Sequence, residues 1–284
     1  MSFQSAFNPI ISCEDDGLII PSVRAWSLQK YNYVGRYGEI YAVTMKSKWN
    51  LTYIDLFAGS GLSRIDNTNQ IVMGSPLIAL SIPTVFARYI FCEKDPEKMS
   101  ALKQRVKRLF PAKFNKVIFI EGSANEQIDK IKREVPTFIN GVGTLPFCFV
   151  DPYSLDLNFE TIQSLGLMPK MDFLILLALH MDANRNYKYY IKEENNKIDK
   201  FINSTDWRKE ILESNESFVR FLADQYKQNM FRLGYKVTDT FQQIRSDAKN
   251  LPLYYLAFFS KHDLGNKFWK IIQQSSNPQR KLDL

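Results

Sequence analysis

Four short stretches of the 284-residue chain place polar side chains where hydrophobic runs end. "YIDLFAGSG" (53–61) ends an apolar run at Asp55 and follows it with Phe57, Gly59 and Gly61. "FCEKD" (91–95) ends a second run at Glu93 and Lys94. "EGSAN" (121–125) offers Ser123, Ala124 and Asn125 after a third, and "FVDPYS" (149–154) offers Asp151, Pro152 and Tyr153 after a fourth. Glycines let a ligand approach the backbone closely and permit positive φ. A carboxylate at the same place suits a cationic ligand better than a phosphate. A pyrophosphate loop runs straight into a helix N-terminus, whereas "LSRIDNTNQIVM", read here as a polar loop, separates these glycines from the next helix start at "GSPLIAL". The G-K-[ST] of a P-loop is missing as well. Asp55 can offset a positive charge, Glu93 can accept both hydroxyl protons of a ribose, Ser123 and Asn125 can reach an adenine, and Ala124 can lie against its ring. Together with Phe57, Gly59, Gly61 and Lys94 they form a candidate site for S-adenosylmethionine, in which the Asp55 and Glu93 side chains should face one cleft.

Strand-like and helix-like segments alternate along the chain. "LTYIDLF" (51–57), "RYIFCE" (88–93), "KVIFIEG" (116–122), "PFCFVD" (146–151) and "MDFLILLAL" (171–179) lack polar alternation, as strands buried on both faces do. Between the second and third runs, "DPEKMSALKQRVKRLF" repeats Met99, Leu102, Val106 and Phe110 at helical spacing, with Asp95 as N-cap and Pro96 in the first turn. Alternation of this kind implies an α/β fold with a doubly wound, mostly parallel, Rossmann-like sheet. In such sheets ligands lie outside the carboxyl ends of the strands, where all four stretches fall. The reading divides the chain into an N-terminal helical lead (1–50), a cofactor-binding core (51–180), a helical insertion (181–234) and C-terminal strands with a helix that complete the sheet (235–284). Ser75 is the expected N-cap of the helix at "GSPLIAL", and another helix is expected to begin with Ser217–Leu222 within the insertion. "YKVTDTFQQI" (235–244) and "LYYLAFFS" (253–260) are expected strands, "GNKFWKIIQQ" is a closing helix, and the tail "SSNPQRKLDL" is expected to fray.

Composition bounds the function class. The net charge is +7, and most of the excess lies from Met181 onward, which suits a polyanionic partner such as nucleic acid and equally suits plain solubility. No apolar run reaches the ~20 residues of a membrane helix, and the first residues carry acidic groups where a secretory signal carries basic ones, so a cytoplasmic protein is expected. Three separated cysteines without a C-x-x-C and two histidines argue against a disulfide framework and a metal site. Cys92 and Cys148 read as buried thiols. "ALHMDANRN" places His180, Asp182, Asn184 and Arg185 at the exit of the fifth strand, as substrate contacts or a polar strand exit. No G-x-S-x-G elbow accompanies His262, against a serine hydrolase.

Asp151-Pro152-Tyr153 resembles the [DNS]-Pro-Pro-[YF] motif of amino-group methyltransferases, with Tyr153 standing where the second proline would be. That resemblance implies a target nitrogen held by the Asp151 carboxylate and the Pro152 carbonyl, with its base flipped against Tyr153. More widely, "YIDLFAGSG", "GSPLIAL", "FCEKD", "FVDPYS" and "LYYLAFFSKHDLGNKFW", with Lys30 and Tyr31 in the N-terminal lead, resemble the three-Cys-motif partner protein (TcmP) family. The resemblance covers most of residues 26–270 and is thinnest across 185–234. It implies a class I methyltransferase-like fold, S-adenosylmethionine as cofactor, and a protein partner carrying the three-Cys motif in phage-related bacterial biology. The expected function is methyl transfer to an exocyclic nitrogen of nucleic acid. The alternatives are a non-catalytic partner protein that keeps the fold and an NAD-dependent oxidoreductase.

Overall fold

The computed structural model describes residues 7–237, 241–246 and 250–275. Strands β1 (Ser12–Cys13) and β2 (Ser22–Val23) precede helix α1 (Ser27–Met45). β3 (Asn50–Asp55), β4 (Leu62–Ile65), β5 (Ile71–Met73) and α2 (Ser75–Ser81) come next. They are followed by β6 (Arg88–Glu93), α3 (Pro96–Leu109), β7 (Val117–Glu121), α4 (Ile128–Glu134), β8 (Phe138–Ile139), β9 (Val142–Val150), α5 (Phe159–Gly166) and β10 (Asp172–Leu177). A π-helical turn (Leu179–Asn184) opens a helical stretch containing α6 (Tyr187–Tyr190), α7 (Lys197–Ile202), α8 (Trp207–Glu213) and α9 (Phe218–Arg232). The chain closes with β11 (Lys236–Val237), β12 (Gln242–Arg245), β13 (Pro252–Ser260) and α10 (Asp263–Ser275).

The main sheet runs β11-β13-β10-β9-β3-β6-β7, with β12 also pairing with β13. β7, β6, β3, β9 and β10 are parallel, and β13 lies antiparallel beside β10. The expected Rossmann-like, doubly wound sheet is therefore the fold. Its strands read as unbroken apolar runs because both faces are covered: Ile54, Ile90, Phe91, Phe147, Cys148 and Leu174 are all fully buried. Charges set the ends of β6, which spans Arg88–Glu93 as the sequence predicts. Helix α3 begins as expected, with the Asp95 carboxylate accepting from the backbone N–H groups of Glu97 and Lys98 and Pro96 in the first turn. Ser217 likewise caps α9 by accepting from Arg220 N. Cys92 and Cys148 are buried and free.

Three expectations need correction. The segment after the glycine turn is no polar loop: it forms β4 and β5, which join β1 and β2 in a second sheet of order β1-β5-β4-β2. Strands of two to four residues leave too short a pattern for alternation to register. The N-cap of α2 is Gly74 rather than Ser75, because the Ser75 hydroxyl bonds the Asp55 carboxyl. The strand expected over 235–244 is split into β11 and β12, with 238–240 outside the described residues, as is the tail 276–284. No helix among the described residues is long and apolar enough to cross a membrane.

Candidate functional site

The strand order reverses between β3 and β9: from β3 the chain builds outward to β6 and β7, and from β9 to β10 on the other side. Open α/β sheets hold their ligands at such a reversal, outside the carboxyl ends of the strands. A cavity of about 220 Å³ lies there. Its wall takes Leu56 and Phe57 from the end of β3, Glu93 and Lys94 from β6, Gly122 to Asn125 from β7, and Asp151, Tyr153, Asp156 and Leu157 from β9. Four strand ends far apart in sequence thus converge on one space. Eight of the twelve residues singled out in the sequence line it: Phe57, Glu93, Lys94, Ser123, Ala124, Asn125, Asp151 and Tyr153.

Glu93 organises one wall of the cavity. One carboxylate oxygen accepts from Gly59 N at 2.8 Å and the other from Asp95 N at 2.9 Å. A carboxylate has about four acceptor positions, so each oxygen keeps one for a ligand. Gly59 has φ +62°, and the space where a Cβ would stand is open. The two glycines differ here: at Gly61 (φ +87°) a Cβ would press against Leu102 and Leu77. Both need glycine for their positive φ, and at Gly61 packing excludes a side chain as well.

Asp55 does not share the cavity wall with Glu93. It is fully buried, and its carboxyl accepts from Phe57 N at 3.2 Å, from the Ser75 hydroxyl and, at 3.4 Å, from Tyr53. Burial pushes it up to about 7, and the nearby Asp151 charge pushes the same way. Its position braces the start of the glycine turn from behind. Asn125 is also committed to structure. Its carbonyl accepts from Asn158 N at 3.1 Å and Thr161 Oγ1 at 2.7 Å, and its amide donates to Asp156 O at 2.8 Å, which leaves one N–H. The expected contact with adenine reduces to that single donor, because Asn125 holds the loop after β9 in place.

The "DPYS" loop splits by residue. Pro152 is buried, Tyr153 is 90% exposed, and Asp151 accepts from the Lys30 ammonium at 2.5 Å. Lys30 comes from α1, is buried, and lies 5.5 Å from the Trp26 ring centre and 5.3 Å from that of Tyr31. Burial acts to lower its pKa, but the Asp151 charge and hydrogen bond, together with Tyr31 and Tyr254, outweigh it and raise the pKa, so Lys30 stays protonated. On the other side of the loop, Asp182 in the π-helical turn is buried. It accepts from Leu155 N at 2.8 Å, Asn186 Nδ2 at 2.7 Å and the Tyr190 hydroxyl at 2.7 Å. The sequence offers Lys30 only through the family resemblance, and Asp182 as a substrate contact or a polar strand exit. Their contacts span 121 and 27 residues, and no local pattern encodes them.

Arg105 secures the turn from α3. Fully buried, it forms two bonds with the Asp16 carboxylate at 2.7 and 2.9 Å and donates to Ile19 O at 3.0 Å and Ser60 O at 2.7 Å. Arg108 also bonds Asp16, and this charge pairing holds the Asp16 carboxyl well below the usual range. Among the described residues, no cluster of three or more His, Cys, Asp or Glu could hold a metal ion.

No family model matches the chain, and no curated protein matches it. Solved structures do, at low identity. The O-methyltransferase from Bacillus cereus in complex with SAH is 11% identical, with 79% of this chain and 80% of that one covered and a TM-score of 0.44. The O-methyltransferase TomG from Streptomyces achromogenes, involved in tomaymycin synthesis and in complex with SAM, is 10% identical over 89% and 92%, with a TM-score of 0.46. M. jannaschii TYW2 in complex with AdoMet is 10% identical over 90% and 88%, with a TM-score of 0.42.

Proposed function

We propose that the chain is an S-adenosylmethionine-dependent methyltransferase whose acceptor is an exocyclic nitrogen of a nucleic-acid base. The observation that carries this reading is the cavity at the strand-order reversal, where Phe57, Glu93, Ser123, Asp151 and Tyr153 meet and where Glu93 also holds Gly59 N. At about 220 Å³ it is smaller than the ~300–1,000 Å³ of most small-molecule sites. An elongated nucleoside would fill it and extend over the open turn.

The residues present fit that cofactor. Glu93 has an acceptor position left on each oxygen for a ribose diol. Phe57 and Ala124 supply apolar wall, Ser123 a hydroxyl, and Lys94 a cation at the rim. Gly59 and Gly61 keep the turn in its left-handed conformation, and Asp55 acts through the turn by holding Phe57 N. When bound, the cofactor supplies an electrophilic methyl group on a leaving sulfonium, so no strong base is needed. Asp151 and the Pro152 carbonyl accept the N–H groups of the target and so aim its lone pair. Tyr153, with its ring in solvent, offers the base a stacking face.

Calorimetric titration of S-adenosylmethionine into the full chain tests the cofactor half. Glu93→Ala is expected to weaken binding at least tenfold, and an unchanged Kd in a folded variant overturns the assignment. Radiolabelled methyl transfer to mixed DNA, RNA and protein tests the acceptor half.

A second reading is favoured by one observation. The Lys30 ammonium already occupies one oxygen of Asp151, as it would in a non-catalytic partner of a three-Cys-motif protein, the role that the TcmP resemblance implies. Cofactor binding without transfer to any acceptor, together with co-purification of such a partner, would select it.

A further inference from the structure

Beyond the cavity, the exit of β10 carries an open groove of about 620 Å³. Its lining includes Asn184, Arg185, Tyr187, Lys188, Tyr189 and Phe218. The Tyr187 ring packs edge-on against Phe218 with centroids 4.7 Å apart and forms an aromatic floor. Tyr189 is 61% exposed. Arg185 and Lys188 are exposed, and the one acidic residue of the lining, Glu216, lies 3.4 Å from Arg220. The groove therefore presents two cations to solvent together with the largely exposed Tyr189 ring, which Tyr190 flanks at 5.7 Å between centroids. It is also fixed to the mouth of the cavity. Asp182 bonds Leu155 N, two residues beyond Tyr153, and the hydroxyl of Tyr190, the neighbour of Tyr189.

We propose that this groove is the track of a single-stranded nucleic acid, with Tyr189 and Tyr153 as successive stacking faces and Arg185 and Lys188 as phosphate contacts. The inference rests on the nucleic-acid reading above and specifies the strand state of the substrate. An exposed tyrosine can stack on a base only when that base is unpaired, and aromatic rings interleaved with cations are how sequence-tolerant single-strand sites are built. A duplex would meet the two cations and neither ring.

The test is fluorescence anisotropy of the full chain with labelled mixed-sequence 12-mers of RNA and DNA, single-stranded and as duplexes, run beside a titration with S-adenosylmethionine. The single strand is expected to bind at least tenfold more tightly than the duplex. Tyr189→Ala should weaken the single strand about tenfold, since one stacked base is worth ~1–3 kcal/mol. The double variant Arg185→Ala/Lys188→Ala should lower the salt slope by about 1.4, at ~0.7 per phosphate. Equal affinity for duplex and single strand overturns the track, as does single-strand binding indifferent to these substitutions. Cofactor binding with no affinity for either oligonucleotide overturns the track alone and leaves the cofactor site standing. Failure to bind cofactor instead removes the reading beneath it. A protein segment that seats in the groove and is lost in Tyr189→Ala would also overturn the nucleic-acid track.

Discussion

Asp16 and Asp151 each hold a buried cation at one side of the candidate site, and the two pairs differ in how completely the cation is satisfied. Arg105 spends its guanidinium on four hydrogen bonds, two to Asp16 and two to backbone carbonyls, one of them in the glycine turn. Its side chain is fully buried and that of Asp16 is 7% exposed. Lys30 makes one hydrogen bond, to Asp151, and otherwise faces the rings of Trp26 and Tyr31. Asp151 borders the cavity. A buried charge is tolerated when its remaining donors are matched. The Arg105 pair meets that condition and acts as a clamp. Among the described residues, the Lys30 pair leaves donors and one carboxylate oxygen uncommitted beside a ligand-sized space.

The comparison can be broken most directly at the clamp. Arg105→Met leaves Asp16 and two carbonyls without their main partner and should cost ~3–5 kcal/mol in urea unfolding. A loss below ~1 kcal/mol would put the two pairs on the same footing. Lys30→Met should cost less, ~1–3 kcal/mol, because Asp151 can hydrate from the cavity. It should reduce methyl transfer at least tenfold while leaving the Kd for S-adenosylmethionine unchanged, and Lys30→Arg should restore part of the transfer. An effect of Lys30→Met on cofactor affinity alone would move Lys30 to the other side of the site.

Titration probes the glycine turn itself, since the two carboxylates that secure it, Asp16 through Arg105 and Asp55 directly, shift in opposite directions. Asp16 is lowered by its arginines, so its stabilisation is present above pH ~4 and is lost as the pH falls through its folded value. Asp55 is raised to about 7 by burial. Its contribution is complete below pH ~4, where the unfolded chain also protonates, and declines as the pH rises through 7. Asp55→Asn should therefore leave the urea midpoint unchanged at pH 4 and raise it at pH 8. A lower midpoint at pH 8 would show the ionised form to be the better-held one. The smallest effect on stability belongs to Tyr153→Ala, within about 0.5 kcal/mol for so exposed a ring, and any loss it causes should appear in transfer to the acceptor.

Much of the sheet could be read from the chain because strands covered on both faces give compact apolar runs with polar ends, and β6 was placed to the residue. The same polar ends marked the site, so the converging turns were legible. Burial was not. Asp55 and Glu93 look alike in the sequence, each a carboxylate closing a strand, yet one lies behind the turn and the other on the cavity wall. Asn125 was legible as a polar group at a strand end, but its bonds to the loop after β9 depend on where that loop returns. Lys30 meets Asp151 only because α1 lies against the finished sheet, and β4 and β5 leave no legible pattern because they are short and their partners β1 and β2 contribute two residues each.

Glu93 has a consequence for how such chains diverge. Its two oxygens fasten the turn after one strand and the helix entry after the next, so removing it would loosen both whether or not anything is bound. A descendant that had given up its ligand would still be under pressure to keep an acid at this position. An inherited carboxylate here is a signature of the architecture first. Evidence of retained chemistry is better sought at Tyr153, whose exposed ring the scaffold can spare.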